Sequence, residues 1–243
     1  MTRKYNPGRV AGLLYLLLGF SVIRAKYIPA VLFVQGDAAA TAHNIAAHEL
    51  LFRFGIVCDL LAGLSCIVVA LALYRLFKGV NQSLAVLMVI LGGLLPAALD
   101  SFNVVNDIAA LLAVRADFLS PFETAQRNAL ALLFLRVHDY GFLTNEVFAG
   151  LWLLPFGVLV FRSGFIPRAL GVYLVTNGLA YVTISFTGFL WPQYVDRITS
   201  KCWPALLGEG AIMLWLMIKG AQPPPVEAAE QTLRLALPAL RDS

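Results

Sequence analysis

The sequence has very little charge for its length. Only 13% of its 243 residues are Asp, Glu, Lys or Arg, whereas 60% are apolar. A soluble domain carries about 25% charged and roughly 45–50% apolar residues, so this composition excludes an ordinary soluble enzyme and a disordered chain. The mean hydropathy of +0.79 is instead typical of a protein that crosses a membrane several times.

Cysteine and enzyme motifs are equally scarce. The three cysteines, Cys58, Cys66 and Cys202, show no C-x-x-C spacing, and no HExxH, GxGxxG, P-loop or serine-nucleophile motif occurs. His43 and His48 are five residues apart and fall on different faces of a helix, which argues against a bis-histidine haem. We therefore expect no disulfide framework, no cofactor and no metal site.

Six apolar stretches are each long enough, at about 20 residues, to cross a bilayer. They predict an all-α, polytopic transmembrane bundle of six spans, in which Arg24 and Lys26 interrupt the first span. Asp37 is expected to cap a short Ala-rich helix before the second span. We place the transmembrane domain at residues 1–220 and a polar, Pro-rich tail, with room for one interfacial helix at 227–237, at residues 221–243. The spans are predicted near 10–34, 50–73, 84–112, 129–161, 169–190 and 203–218.

Basic residues indicate the orientation. One set of predicted loops carries only basic charges, whereas the other set mixes basic and acidic residues. The positive-inside rule then predicts that both termini are cytoplasmic, which agrees with an even number of spans. Because the basic residues lie at helix ends, the net charge of +4 does not indicate a nucleic-acid partner. We expect membrane lipid around the chain, and a small-molecule ligand or membrane-protein partners.

Charged and polar residues inside predicted spans are costly in hydrocarbon, and they mark candidate functional positions. At about 1.5 Å per residue, nearly all of them lie between the midplane and the outer surface. On the third span, Asp100, Asn103 and Asp107 have i, i+3 and i+7 spacing, which places them on one helix face. The candidates for ligand binding or proton relay are Glu49, Arg53, Asp59, Asp100, Asn103, Asp107, His138, Glu146 and Glu209.

Two interpretations of these polar residues stay open. They form an outer-half pocket for a ligand or protons, or ion pairs such as Arg53–Asp59 and Arg136–Asp139 only tie helices together. The acids outnumber Arg53 and Arg136, so some must be protonated, hydrated or bound to a cation. A mixed carboxylate–histidine metal site that uses His138 with Asp107 or Glu146 is a further alternative.

Several ordered segments resemble a known family. They are RVAGLLYLLLG, GDAAATAHNIAAHELLFRFGIVCDLL, the region from His138 to Gly141, FRSGFIPRALGVYLV and PALLGEGAIMLWLMIKG. Together they are similar to the bacterial multi-pass membrane family known as domain of unknown function 4386, up to Gly220. The resemblance implies an integral protein of the bacterial inner membrane and supplies no activity. Among the candidates, Glu49, Arg53, Asp59, His138 and Glu209 fit the family pattern better than Glu146.

The leading hypothesis is binding or transport of a small molecule or lipid, linked to protons through Asp59 and His138. An intramembrane enzyme with a carboxylate and His138 as acid and base is the second hypothesis. It would be disfavoured if every acid lay more than about 10 Å from His138. An accessory subunit of a membrane complex is the third. No catalytic residue is assigned, and enzymatic activity is not the favoured reading.

Overall fold

The computed structural model of the chain describes residues 6–222, and within that range it contains helices and turns but no strand. Six of these helices are long and apolar enough to cross a membrane, which confirms the predicted all-α, six-span bundle. They are Pro7–Leu32, Glu49–Phe77, Gln82–Arg115, Thr124–Ser163, Arg168–Leu190 and Pro192–Ile218, called the first to sixth spans below. The tail, including the proposed helix at 227–237, lies almost entirely outside the described residues.

The first span is continuous, so the expectation that Arg24 and Lys26 interrupt it is wrong. Arg24 lies in a π-helical turn, Ile23–Tyr27, in the middle of the span, and its side chain is buried. The charge does not end the helix because the Arg24 side chain forms ion pairs with carboxylates of neighbouring spans, as described below.

A proline accounts for each of the two π-helical turns, Ile23–Tyr27 and Ile90–Leu94. In each case the residue before a proline donates its backbone N–H to the carbonyl five residues back, rather than four. In a regular helix the rings of Pro29 and Pro96 would clash with the carbonyl four residues earlier. The wider turn removes that clash, and π-helical turns of this kind are frequent at functional sites.

The fourth span is the centre of the bundle and packs against both the third and the fifth. At 40 residues it is about 60 Å long, more than the hydrocarbon thickness. Two glycine pairs bring it close to the fifth span. A Cβ on Gly150 would lie 2.6 Å from the carbonyl oxygen of Gly178, and one on Gly157 would lie 2.6 Å from that of Gly171. Only small residues allow such close packing of helix backbones.

The first and sixth spans meet where the described chain starts and stops. The amide of Gly8 donates to the carbonyl of Ala221 over 3.0 Å, and Arg9 Nη2 donates to the carbonyl of Ile218. We call this side of the bundle the terminal end, and the side that carries residues 33–48 and 116–123 the opposite end. That the terminal end faces the cytoplasm stays a prediction.

The two ends of the bundle differ in composition. A continuous apolar core fills the terminal half, with Phe77, Phe156 and Leu153 fully buried. At the opposite end, Asp37 caps the short helix Ala38–Ala47 by accepting the amide of Ala40, as predicted. A second, smaller apolar cluster around Phe52 and Leu135 lies at that end, so the buried polar side chains described below form a layer between two apolar regions.

Candidate functional site

A buried charge cluster joins four spans around Arg24. Its Nε donates to Asp59 Oδ2 over 2.9 Å, and its Nη2 donates to Asp107 Oδ2 over 2.7 Å and Oδ1 over 2.9 Å. The same Nη2 lies 3.0 Å from His138 Nε2. Arg24 and Asp107 are 5% and 0% exposed, so these ion pairs are shielded from solvent. The first, second, third and fourth spans each contribute one side chain.

The hydrogen bonds determine how His138 is used. A guanidinium has only donors, so His138 Nε2 must accept from Arg24 and carries no proton. The proton of a neutral imidazole then resides on Nδ1, which lies 3.4 Å from Asp107 Oδ2 and has no hydrogen-bond partner of good geometry among the described residues. The cluster therefore combines one guanidinium, two carboxyl groups and a neutral imidazole in this arrangement.

Neighbouring residues hold the cluster in place. Gly55, one turn before Asp59, leaves room for the stem of Arg24, since a Cβ there would lie 3.4 Å from Arg24 Cδ. Asn103 Nδ2 donates to the backbone carbonyl of His138 over 2.9 Å and fixes the fourth span against the third. The geometry is thus set by tertiary packing as well as by charge.

The ligand atoms of Asp59, Asp107 and His138 lie within 4.8 Å of one another, close enough to hold a metal ion. The guanidinium of Arg24 donates hydrogen bonds to Asp59, Asp107 and His138 Nε2, so a cation already lies at the centre of the group. A metal ion would have to displace Arg24. The donor set therefore fits an arginine-centred cluster better than a metal centre.

A cavity of about 440 Å³ lies next to the cluster, and it is partly open at the surface of the bundle. Asp59 belongs to both, because its side chain pairs with Arg24 and also lines the cavity. Most of the cavity wall is apolar. Its polar groups are Ser21, Cys66, Asn145, two tyrosines and four carboxyl groups, which are Asp59, Asp100, Glu146 and Glu209.

The other three carboxyl groups of the cavity face neutral partners or none. Asp100 Oδ1 accepts from Asn145 Nδ2 over 2.7 Å, and Glu209 Oε1 accepts from the hydroxyl of Tyr15 over 3.0 Å. Glu146 has no hydrogen-bond or ion-pair partner among residues 6–222. The cavity therefore contains more acidic groups than the protein itself neutralises.

The structure divides the predicted site residues into three groups. Asp107 and His138 belong to the Arg24 cluster with Asp59, and Asn103 supports that cluster through the His138 carbonyl. The remaining acids of the cavity wall lie beside it. Glu49 and Arg53 lie apart from both, at the opposite end. Arg53 pairs with Glu49 over 2.8 Å, and Arg115 pairs with the other oxygen of Glu49 over 2.9 Å.

The pairing of Arg53 with Asp59 considered in the sequence analysis is therefore wrong. The i, i+4 spacing of Glu49 and Arg53 on one helix makes that local pair the available one. Arg136 does lie near Asp139, at 3.7 Å, with both side chains more than half exposed. The basic partner of Asp59 is Arg24, which the sequence analysis treated only as an interruption of the first span.

Tyr15 and Tyr181, on the cavity wall, are among the further site residues that sequence reasoning did not identify. The available signal for Arg24 was a single arginine with apolar residues on both sides, which by default must face a polar partner in a membrane. No comparable signal marks the tyrosines, because aromatic residues are common throughout the chain.

Comparison with known proteins gives one match. The family model described as Domain of unknown function (DUF4386) matches residues 10–220. No curated protein and no solved structure matches the chain significantly.

Proposed function

We propose a function from geometry, because the chain belongs to the family described as Domain of unknown function (DUF4386), which supplies no activity. In this proposal, the multi-pass membrane protein binds a small molecule and transports it through the interior cavity. The observation that carries the proposal is the cavity of about 440 Å³ between the spans, with an apolar wall and a few convergent polar groups. Cavities of this size and composition are typical of small-molecule sites.

Asp59 links the cavity to the rest of the bundle. A ligand group that attracts Asp59 weakens its bond to Arg24, and Arg24 then depends on Asp107 and His138 alone. Those residues lie on the first, third and fourth spans, so occupancy of the cavity changes the contacts that hold these spans together. A ligand shifts a conformational equilibrium only through such differential contacts. This is how binding would be coupled to movement of the spans, and to protons through Asp59 and His138.

An intramembrane enzyme is less well supported. Asp107 and Asp59 lie 3.4 and 3.8 Å from the nitrogens of His138, so acid–base partners are within reach of each other. However, His138 is not among the residues that line the cavity, and Arg24 occupies its Nε2. A general base needs access to its substrate, which this arrangement does not provide. The role of an accessory subunit in a bacterial inner-membrane complex remains a proposal that copurification of a stoichiometric partner would support.

Native mass spectrometry of protein gently extracted from its own membranes tests the proposal. Gly210 lines the cavity, and a Cβ there meets nothing within 4 Å, so Gly210→Phe fills cavity space without a clash at Cβ. Gly79, in a connector, also has open space around it and supplies the control Gly79→Phe. We expect a bound small molecule in the natural protein and in Gly79→Phe, and its loss in Gly210→Phe. A molecule retained equally by all three, or no bound molecule in any, would contradict the proposal.

A further inference from the structure

The charges on the cavity wall indicate the class of molecule that the cavity takes. Four carboxyl groups line it, and no lysine or arginine side chain does so within the described part of the chain. Arg24 compensates Asp59 from behind, and the charge of Lys26 acts on Glu146 without forming an ion pair with it, whereas among residues 6–222 no cation pairs with Asp100 or Glu209. A buried carboxylate without a cation is costly, and an anionic ligand would add repulsion. A positively charged ligand removes that cost.

A single metal ion does not fit this distribution of acids. Among residues 6–222, only Asp59, Asp107 and His138 bring three candidate ligand atoms within 4.8 Å of one another, and Arg24 occupies that point. The other cavity acids do not form such a group. Carboxyl groups spread around a cavity match a molecule with a larger and more diffuse charge.

Aromatic rings complete the wall. Tyr15, Trp152, Phe142 and Tyr181 line the cavity, and the Tyr15 and Trp152 rings stack with centroids 6.2 Å apart. Aromatic faces attract organic ammonium groups. Trp152 also stacks on Phe156 with centroids 5.3 Å apart and is buried, so the exposed ring of Phe142 is the better placed of the two to meet a ligand. At the edge of the cavity, Val22 is 63% exposed, so an apolar part of a ligand finds apolar contacts there.

Building on the proposed function, we propose that the cavity selects organic cations, meaning amines or quaternary ammonium compounds that carry an apolar body. The cationic group lies among the carboxyl groups of Asp100, Glu146 and Glu209 and beside the aromatic ring of Phe142. The apolar body lies along the apolar wall toward the edge of the cavity.

Three probes of similar size and different charge test this selectivity. They are benzyltrimethylammonium, its uncharged carbon analogue neopentylbenzene, and the anion phenylmethanesulfonate. Trp152 reports binding through its fluorescence in a full-length protein whose other tryptophans are replaced by Phe, namely Trp191, Trp203 and Trp215. We expect saturable binding of the cation, at least about tenfold tighter than the neutral analogue, and no binding of the anion.

A pair of neutralising variants on the fourth span locates the effect. Glu146→Gln removes a cavity charge that has no partner to lose among the described residues, and we expect it to weaken binding of the cation about tenfold or more. Asp139→Asn removes a charge from the same helix that is more than half exposed and does not line the cavity. We expect that control to leave the affinity for the cation unchanged.

The outcomes separate this inference from the proposed function. If the neutral probe or the anion binds tightly and Gly210→Phe abolishes that binding, cation selectivity is overturned while a small-molecule cavity is supported. Equal weakening by Glu146→Gln and Asp139→Asn would also overturn it, since the charge would then act from a distance. Saturable binding of none of the three probes would contradict both proposals.

Discussion

Removing Arg24 should destabilise the bundle far more than removing an exposed arginine. Arg24→Met keeps an unbranched side chain of similar length but leaves Asp107, which is 0% exposed, without its cation. Breaking a buried ion pair by removing one partner costs about 3–5 kcal/mol, because an uncompensated charge remains. Arg136→Met is the matched control, since the Arg136–Asp139 pair spans 3.7 Å and is more than half exposed. Such exposed pairs contribute at most about 1 kcal/mol.

The free energy of unfolding can be measured in mixed micelles titrated with sodium dodecyl sulfate. The double variant Arg24→Met/Asp107→Leu also removes Asp107, the more deeply buried of the two carboxylates that pair with Arg24, and leaves Asp59 on the cavity wall. We expect it to recover part of the stability that Arg24→Met loses, since an apolar pair often replaces a buried ion pair without a large loss, whereas Asp59 still lacks its cation. The reasoning would be refuted if Arg24→Met lost no more stability than Arg136→Met. It would also be refuted if the double variant were less stable than Arg24→Met alone.

Three further predictions follow from the packing and the charge distribution. Gly55→Val should lower the free energy of unfolding by about 1–3 kcal/mol, because its side chain meets Ile28 and the stem of Arg24, whereas Gly79→Ala should leave it unchanged. Gly157→Leu should abolish a monodisperse peak in size-exclusion chromatography, since the close approach to Gly171 leaves no room for a side chain; a normal peak would contradict that packing. Alkaline phosphatase, active only outside the cytoplasm, should be active when fused after residue 120 and inactive after residue 79, and the reverse pattern would invert the predicted orientation.

The six spans could be predicted from the sequence because each depends on local properties, namely length and hydropathy. The predicted limits differ from the observed helices by a few residues in most spans. The sixth span differs most, because its first half, from Pro192, is polar enough to resemble a connector. The polar candidates were also accessible, since any charge between apolar stretches is conspicuous.

The partners of those charges were not accessible from the sequence. Arg24 lies 35 residues from Asp59 and 83 from Asp107, so only the packing of the spans decides that they meet. Arg24 was also misread because Lys26 follows it closely, and two basic residues resemble the end of a span. In the structure Lys26 is exposed while Arg24 turns inward, and no short-range pattern distinguishes the two.

The cavity itself has no sequence signature. It arises where spans do not touch, and that depends on where glycines and prolines place the backbones of neighbouring helices. Gly19 and Gly210 line it with open space around them, whereas Gly150 and Gly157 draw helices together. The same residue type thus has opposite effects at different positions, so composition alone predicts neither.

Solute access to Cys66 tests most directly whether the cavity is a true binding space. Cys66 lines the cavity, and in a protein with Cys58→Ala and Cys202→Ser it is the remaining cysteine. We expect a small cationic methanethiosulfonate to modify Cys66 in proteoliposomes, and Gly210→Phe but not Gly79→Phe to block the reaction. Ser21→Cys, also on the cavity wall, provides a second reporter with the same expectation. If neither thiol reacts, or if Gly210→Phe leaves both rates unchanged, the cavity is closed to solutes and the account is contradicted.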